Sequence, residues 1–173
     1  FNFSPYQGEK LRPVITYNYD NEHITPYSFD VELDDNRMKA EYALSHQSAI
    51  YRITYEADKP AYLIVNSRNG SIHANENFIS GRQQLNDNTN VYVYIEAQEK
   101  PISAGILENG TIETSKDNAE GANACAAWRF ADGTTTVNLR YGISFISEEQ
   151  AEKNLHRCLL YTSPSPRDGA TSR

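Results

Sequence analysis

The sequence of 173 residues is poor in the features that mark several classes of protein. Its 16 lysine and arginine residues are outnumbered by 23 aspartate and glutamate residues, which gives a net charge of -7. Because proteins that bind nucleic-acid phosphates concentrate positive charge, nucleic acid is not expected as a partner. No apolar run approaches the roughly 18 residues that a membrane-spanning helix needs, so no membrane span is predicted.

Methionine and tryptophan are also scarce, with one of each, and there are two cysteines. Tyrosine and phenylalanine are abundant by comparison, with 12 and 6 residues. Aromatic side chains favour the half-buried, pleated surface of a β-sheet. The composition therefore favours an all-β fold, and the length is typical of one globular domain.

Apolar residues recur at every second position in a series of short segments, as expected for strands that bury one face. Two such segments, residues 27 to 33 and 37 to 44, predict a hairpin. Their apolar positions are Tyr27, Phe29, Val31 and Leu33, and then Met38, Ala40, Tyr42 and Leu44. Further strands are predicted at residues 51 to 55, 61 to 65, 78 to 82 and 91 to 97. Ten or more short strands at this spacing indicate an antiparallel β-sandwich, which is preferred over a barrel.

Turn-forming residues separate these segments. Asp34-Asp35-Asn36 is interpreted as the hairpin turn, since it lacks the pattern of a calcium-binding loop. Asn69-Gly70 is interpreted as a turn between strands. Asn109-Gly110 and Asp132-Gly133 each predict a further hairpin, because such pairs tolerate positive φ angles.

One segment has the pattern of a helix. Ser147 and Gln150 fit a capping box, and good helix formers follow. The sequence thus predicts a sandwich over residues 1 to 146 and the start of a linker helix over residues 147 to 157.

Residues 158 to 173 differ in character from the rest. The run CLLYTSPSPRD resembles a translated sequencing adapter read through in one frame. It is interpreted as a non-native tail and excluded from the fold. The alternative is a natural disordered tail. Without Cys158, Cys125 has no intrachain partner and is expected to be a small buried residue.

Reactive side chains form no recognisable constellation, so no catalytic residue and no metal ligand is predicted. The four histidines are far apart and lack metal-ligand spacing. The strand carboxylates Asp30, Glu32, Glu41 and Glu96 fall on polar faces, where solvation explains them. Trp128 and Arg129 are weak candidates for sugar contact, although a lone tryptophan in a strand more often belongs to the core.

Residues 140 to 155, RYGISFISEEQAEKNL, resemble the domain junction of glycoside hydrolase family 92, the bacterial exo-acting α-mannosidases. Residues 19 to 27 and 78 to 94 are also similar to the N-terminal domain of that family. The sequence departs from the family at Tyr27, where glycine is common, and at Asn90-Val91, where Asp-Gln is frequent.

The resemblance implies part of an N-terminal β-sandwich of the supersandwich type, incomplete at its N-terminal side. It implies a helical (α/α)6 barrel as the C-terminal partner domain and an α-mannoside glycan as substrate. Hydrolysis with inversion would use a glutamate acid, an aspartate base and calcium, all in the barrel. No cofactor is therefore expected in this chain, which would be inactive alone. The parent enzyme is expected to be periplasmic or extracellular.

Two other hypotheses stay open at this stage. A free-standing carbohydrate-binding or adhesion sandwich would explain the aromatic residues without a barrel. A purely structural module would have no affinity for sugar. The capped helix favours the enzyme fragment, since it implies a further surface on which to dock.

Overall fold

The computed structural model describes residues 1–8, 10–13, 19–24, 28–33 and 38–159. Within these ranges the predicted all-β fold is confirmed, with a single helix at the C-terminal end. In chain order the elements are β1 Asn2–Tyr6, β2 Tyr19–Ile24, β3 Ser28–Leu33, β4 Met38–Leu44, β5 Ser48–Thr54, β6 Tyr62–Ala74, β7 Ile79–Asn86, β8 Thr89–Ala97, β9 Ser103–Glu108, β10 Thr111–Glu113, β11 Asn118–Arg129, β12 Thr136–Ser144 and α1 Glu148–Leu159.

The strands form one antiparallel, hydrogen-bonded path that folds into two layers. Its order is β10-β9-β11-β6-β7-β8-β12-β5-β4-β3-β2, and β1 also pairs with β6. The first half of β6 pairs with β1, whereas its second half pairs with β7. A small layer therefore contains β1, β9 and β10, and a large layer contains β7, β8, β12 and β5 to β2. Strands β6 and β11 run through both layers.

The bend between the layers lies at the middle of β6 and β11. Gly70 and Gly121 are opposite each other there, and Asn69 and Gly121 have φ angles of 48° and 141°. A Cβ atom on Gly70 would overlap the backbone carbonyl oxygen of Arg82. Glycine is therefore required for the close approach of β7. The prediction that Asn69-Gly70 separates two strands is wrong, because β6 bends at this point and continues.

The core fills the space between the two layers. Leu63, Val65 and Trp128 enter it from the small layer, and Ile53 and Ile95 from the large layer, all with at most 1% exposure. The predicted alternation is confirmed in β3, β5 and β8. In β4 it holds through Ala40, but Leu44, predicted to face inward, is 59% exposed at the end of the strand.

The predicted hairpins have different outcomes. β3 and β4 pair as predicted, while their turn at residues 34 to 36 lies outside the described residues. The Asn109-Gly110 turn is confirmed, with φ angles of 50° and 79° between β9 and β10. The Asp132-Gly133 hairpin is wrong, because β12 pairs with β5 and β8 rather than with β11. The connection between β11 and β12 crosses from the small layer to the large one.

Helix α1 lies on the outer face of the large layer. The Ser147 Oγ accepts a hydrogen bond from the Gln150 backbone N–H at 3.1 Å, which confirms the predicted N-cap. The reciprocal half of the capping box is absent, since the Gln150 amide instead donates to Asn154 Oδ1 at 2.9 Å. Ala151 and Leu155 are fully buried against the sheet.

The helix ends at Leu159, two residues beyond the predicted end. Cys158 and Leu159, assigned to the tail by the sequence, therefore belong to α1. The adapter origin of residues 158 to 173 stays a prediction, and residues 160 to 173 lie outside the described residues. Within the part of the chain that is described, no helix is both long and apolar enough to cross a membrane.

Gly142 in β12 sets how closely α1 approaches the sheet. A Cβ atom there would overlap the Ala151 carbonyl oxygen and lie 2.7 Å from the Leu155 backbone nitrogen. We expect Gly142→Ala to undock α1 and to destabilise the fold by about 2 kcal/mol, the value of one buried leucine. Hydrogen exchange should show loss of protection in α1.

The matched control is Gly133→Ala. A Cβ atom on Gly133 meets nothing within 4 Å, but its φ of 83° is unfavourable for alanine. This variant should lower the melting temperature without selective exposure of α1. Equal exchange of α1 in the two variants would contradict the role assigned to Gly142.

Candidate functional site

A groove of about 710 Å³ lies on the outer face of the large layer, beside α1. We call it the α1 groove. Its floor comes from β6, β7, β8, the start of β11 and the residue before β7, and one wall comes from the first turns of α1. The lining includes His73, Phe78, Ser80, Tyr94, Asn118 and Glu120 on the floor, and Glu148, Glu149 and Glu152 on the wall.

An aromatic row crosses the floor. The ring centroids of His73 and Phe78 are 5.3 Å apart, and those of Phe78 and Tyr94 are 4.9 Å apart with nearly parallel planes. His156 of α1 meets Tyr94 edge-on at 6.4 Å. Because the strand order is β6, β7, β8, Phe78 lies between its two neighbours. Tyr94 therefore stacks on Phe78, whereas His73 meets the Phe78 ring at a tilt of 41°.

Glutamates of α1 bind hydroxyl groups of the floor. The buried Ser80 hydroxyl donates to Glu148 Oε2 at 2.7 Å. Burial raises the pKa of Tyr94 to about 12, and the charges of Glu152 and Glu96 and a hydrogen bond with Glu152 add to this effect. The first turns of α1 are thus fixed to β7 and β8 by contacts between hydroxyl groups and carboxylates.

The far side of the groove is also polar. Arg82 forms an ion pair with Glu120 at 3.2 Å, and His73 Nδ1 lies 2.8 Å from Asn118 Oδ1. Carboxylate and amide oxygens accept hydrogen bonds, so the groove is suited to ligands that carry hydroxyl or cationic groups. Among the described residues, no group of three or more His, Cys, Asp or Glu side chains could hold a metal ion.

The C-terminal half of α1 is held by a second set of charges. His156 Nε2 lies 3.1 Å from Glu96 Oε1, and an Arg140 guanidinium nitrogen lies 3.8 Å from Glu96 Oε2. The Asn154 amide donates to the Ile143 carbonyl oxygen at 2.8 Å. Glu96, predicted to be a solvated strand carboxylate, therefore helps to fix the helix to β8 and β12.

Trp128 and Arg129, the weak candidates for sugar contact, do not form one site. Trp128 has 0% exposure, and its indole N–H donates to the Asn75 carbonyl oxygen at 2.7 Å. It is a core residue with no surface for a sugar. Arg129 points to the opposite face, where its guanidinium lies 5.9 Å from the Tyr62 ring centroid and pairs with Asp132. A contact of Arg129 with sugar stays a prediction.

The other reactive side chains considered in the sequence show no sign of a functional site. Glu41 pairs with Lys39 at the surface, at 3.2 Å. Cys125 is buried, and burial raises the pKa of its thiol to about 12, which disfavours the nucleophilic thiolate. The side chain of Asp30 lies outside the described part of the chain.

The sequence reasoning missed the α1 groove because its residues come from distant segments. One signal was available in β8, where Tyr92 and Tyr94 alternate with the inward-facing Val93 and Ile95. Aromatic residues on the supposedly solvated face of a strand indicate that something covers it. Here the cover is α1.

The buried position of the sole tryptophan has a spectroscopic consequence. We expect the fluorescence of Trp128 to be blue-shifted and protected from iodide, because its ring is fully enclosed in the core. Unfolding in guanidinium should shift the emission to the red. A native spectrum like that of free tryptophan, or one changed by added mannose, would contradict the assigned position.

The pKa of Tyr94 can be tested by titration of labelled tyrosine in NMR spectra. We expect Glu152→Gln to lower this pKa from about 12 towards the ordinary 10.0, because it removes one of the carboxylates that raise it. Glu149→Gln is the matched control, since Glu149 is not among the groups that raise it. Equal effects of the two variants would contradict the contact with Glu152.

The raised pKa of Tyr94 makes the stability of the fold depend on pH. A raised pKa means that the folded state holds the tyrosine proton more tightly than the unfolded state. The contribution of Tyr94 is therefore present below pH 10 and is lost as the pH rises through about 12.

The fold, an antiparallel sandwich followed by a docked helix, is similar to part of several solved bacterial glycosidases. The inverting GH92 mannosidase BT2199 from Bacteroides thetaiotaomicron superimposes with a TM-score of 0.76 at 22% identity, over 90% of this chain and 23% of that one. The GH92 α-mannosidase BT3965 from the same species gives 0.75 at 23% identity, over 90% and 25%. A bacterial glucoamylase with bound acarbose gives 0.60 at 15% identity, over 83% and 26%.

The sequence identifies the family. Residues 2–144 match the profile of the glycosyl hydrolase family 92 N-terminal domain, and the chain belongs to this family. No curated protein matches the sequence. The chain spans about a quarter of the length of the solved mannosidases that it resembles.

Proposed function

We propose that this chain is part of the N-terminal domain of a secreted bacterial α-mannosidase that removes terminal α-mannose from glycans in the periplasm or outside the cell. The family match over residues 2–144 carries this proposal. Two of the solved structures with this fold are described as mannosidases. Because the chain spans about a quarter of their length, the reacting groups are assigned to the remainder of the enzyme.

The proposed role of the domain is to form one wall of the substrate pocket and part of a domain interface. Inverting hydrolysis needs an acid and a base carboxylate, about 6.5–9.5 Å apart, with a water molecule between them. In the α1 groove, Glu148 accepts a hydrogen bond from Ser80 and Glu120 pairs with Arg82. These carboxylates hold structure together, which supports a binding role without chemistry of its own.

Calcium, which the family resemblance implies, is proposed to bind outside this chain. A calcium site takes six to eight oxygen ligands around one point. The carboxylates of the α1 groove do not fit this need, because Glu148 and Glu120 each have a separate protein partner.

A free-standing carbohydrate-binding module is the second candidate. The oxygen-rich α1 groove favours it, because sugar hydroxyls donate to carboxylate and amide oxygens. The aromatic row counts against it, since Tyr94 stacks on Phe78 and covers a ring face that a sugar could otherwise use. The enzyme domain is therefore preferred.

The test compares this chain with the complete enzyme encoded by its gene. We expect the complete enzyme to hydrolyse 4-nitrophenyl α-mannoside and to lose activity when calcium is chelated. This chain alone should release no nitrophenol. A complete gene product of sandwich length that binds mannan in isothermal titration calorimetry would overturn the enzyme proposal in favour of the binding module.

A further inference from the structure

Two asparagine residues of this chain are followed by glycine, and the fold places the two pairs in different surroundings. Asn109-Gly110 is the turn between β9 and β10, and both of its residues are exposed. Asn69-Gly70 lies inside β6, where Gly70 is buried. An asparagine before glycine can react with its own backbone, because glycine has no side chain to block the approach. The two pairs therefore allow one reaction to be compared within one molecule.

The β9–β10 turn leaves both reacting groups accessible. The φ angles of Asn109 and Gly110 are 50° and 79°, and the ladder of β9 and β10 stops at the pair of Glu108 and Thr111. Among the described residues, no hydrogen bond occupies the Gly110 backbone N–H or the Asn109 side-chain amide. Apart from its chain neighbours, a Cβ atom on Gly110 would meet only the Leu11 carbonyl oxygen, at 3.4 Å. The Asn109 side chain therefore has room to turn onto the Gly110 nitrogen.

The Asn69-Gly70 pair has no such freedom. Gly70 is paired with Gly121 of β11 on one side and with Gln83 of β7 on the other. A Cβ atom on Gly70 would overlap the backbone of β7. Reaction of Asn69 with the Gly70 nitrogen therefore requires local opening of the sheet, and regions that must open first react more slowly.

We infer that Asn109 is a site of spontaneous modification, at which the side-chain amide is lost through a cyclic succinimide. The Gly110 backbone nitrogen gives up its proton to hydroxide and attacks the Asn109 side-chain carbonyl carbon, so that a new C–N bond closes a ring. The bond from that carbon to the amide nitrogen breaks, and the nitrogen takes a proton from water and leaves as ammonia. Such an attack is favoured because both groups belong to adjacent residues.

Water then opens the succinimide at either of its carbonyl carbons. Opening at one carbon gives aspartate at position 109. Opening at the other gives isoaspartate, in which the main chain continues through the former side-chain carbonyl. In both cases the net reaction consumes one water molecule and releases one ammonia molecule, without oxidation or reduction. The inference is independent of the proposed function.

Asp132-Gly133 provides a comparison of the chemistry at equal exposure. Both residues are exposed, and Gly133 has a φ angle of 83°. The Asp132 side chain, however, is a carboxylate that pairs with Arg129 at 3.3 Å. An ionised carboxylate is a poor target for a nucleophile and has no ammonia to release. Isomerisation of Asp132 is therefore expected to be slower than the reaction of Asn109.

Isoaspartate at position 109 would weaken the attachment of β10. It adds a methylene group to the main chain of a two-residue turn, whose geometry sets the pairing of Glu108 with Thr111. Strand β10 has only 3 residues and lies at one end of the sheet path. Its Ile112 packs against the cluster that contains Leu107 and the buried Cys125. We therefore expect the Cys125 thiol to become more accessible after the modification.

Incubation of this chain in water enriched in heavy oxygen, followed by peptide mapping with mass spectrometry, tests the inference. We expect Asn109 to convert to aspartate and isoaspartate that each carry one heavy oxygen atom, several-fold faster than Asn69 and Asp132 react. The rate should increase with pH, because the backbone nitrogen must lose its proton. An unchanged Asn109, or equal rates at Asn69 and Asn109, would overturn the inference.

Asn109→Gly is the matched control, because glycine accepts the φ angle of 50° and has no amide to lose. Labelling of Cys125 by a maleimide, resolved from Cys158 by peptide mapping, gives a second readout. After incubation this labelling should increase several-fold in the unmodified sequence and stay constant in Asn109→Gly. An equal increase in both proteins would overturn the link between Asn109 and the attachment of β10.

Discussion

The bend in the β6–β11 pair is the constraint on which the rest of the molecule depends. Because Gly70 and Gly121 face each other at the bend, one hydrogen-bonded sheet folds over and encloses its own core. Two separate sheets would be held together by side-chain packing alone, whereas here both layers share the strands β6 and β11. The close contact of Gly70 with the Arg82 carbonyl oxygen also brings β7 against β6, and with it the floor of the α1 groove.

On the outer face of the large layer, polar contacts rather than a second apolar core attach most of α1 to the sheet. Ser80 and Tyr94 meet carboxylates at the start of α1, while Glu96 meets His156 and Arg140 near its end. Leu155 and Ala151 supply the apolar part of the same contact. The helix is thus attached along its length, and the polar groups around it define the shape of the groove.

Local patterns were sufficient to predict much of the fold, because strand alternation and turn chemistry are properties of neighbouring residues. Asn109-Gly110 and the Ser147 cap followed from sequence for this reason. Asn69-Gly70 did not, since its role depends on Gly121 in a strand far along the chain. The groove was not predictable either, because Phe78, Tyr94 and Glu148 meet only through strand order and the position of α1. Alternation also failed at Leu44, where the strand extends past the core.

The shared strands make folding of this domain a late event in its synthesis. His73 in β6 contacts Asn118 in β11, 45 residues further along the chain. In the same way, one edge of β5 pairs only with the later strand β12. Pairings between distant segments form slowly, because loop closure must precede the contacts that stabilise them. Until residues 118 to 144 have left the ribosome, β5 and β6 each have an unpaired edge, which is a template for pairing with another chain.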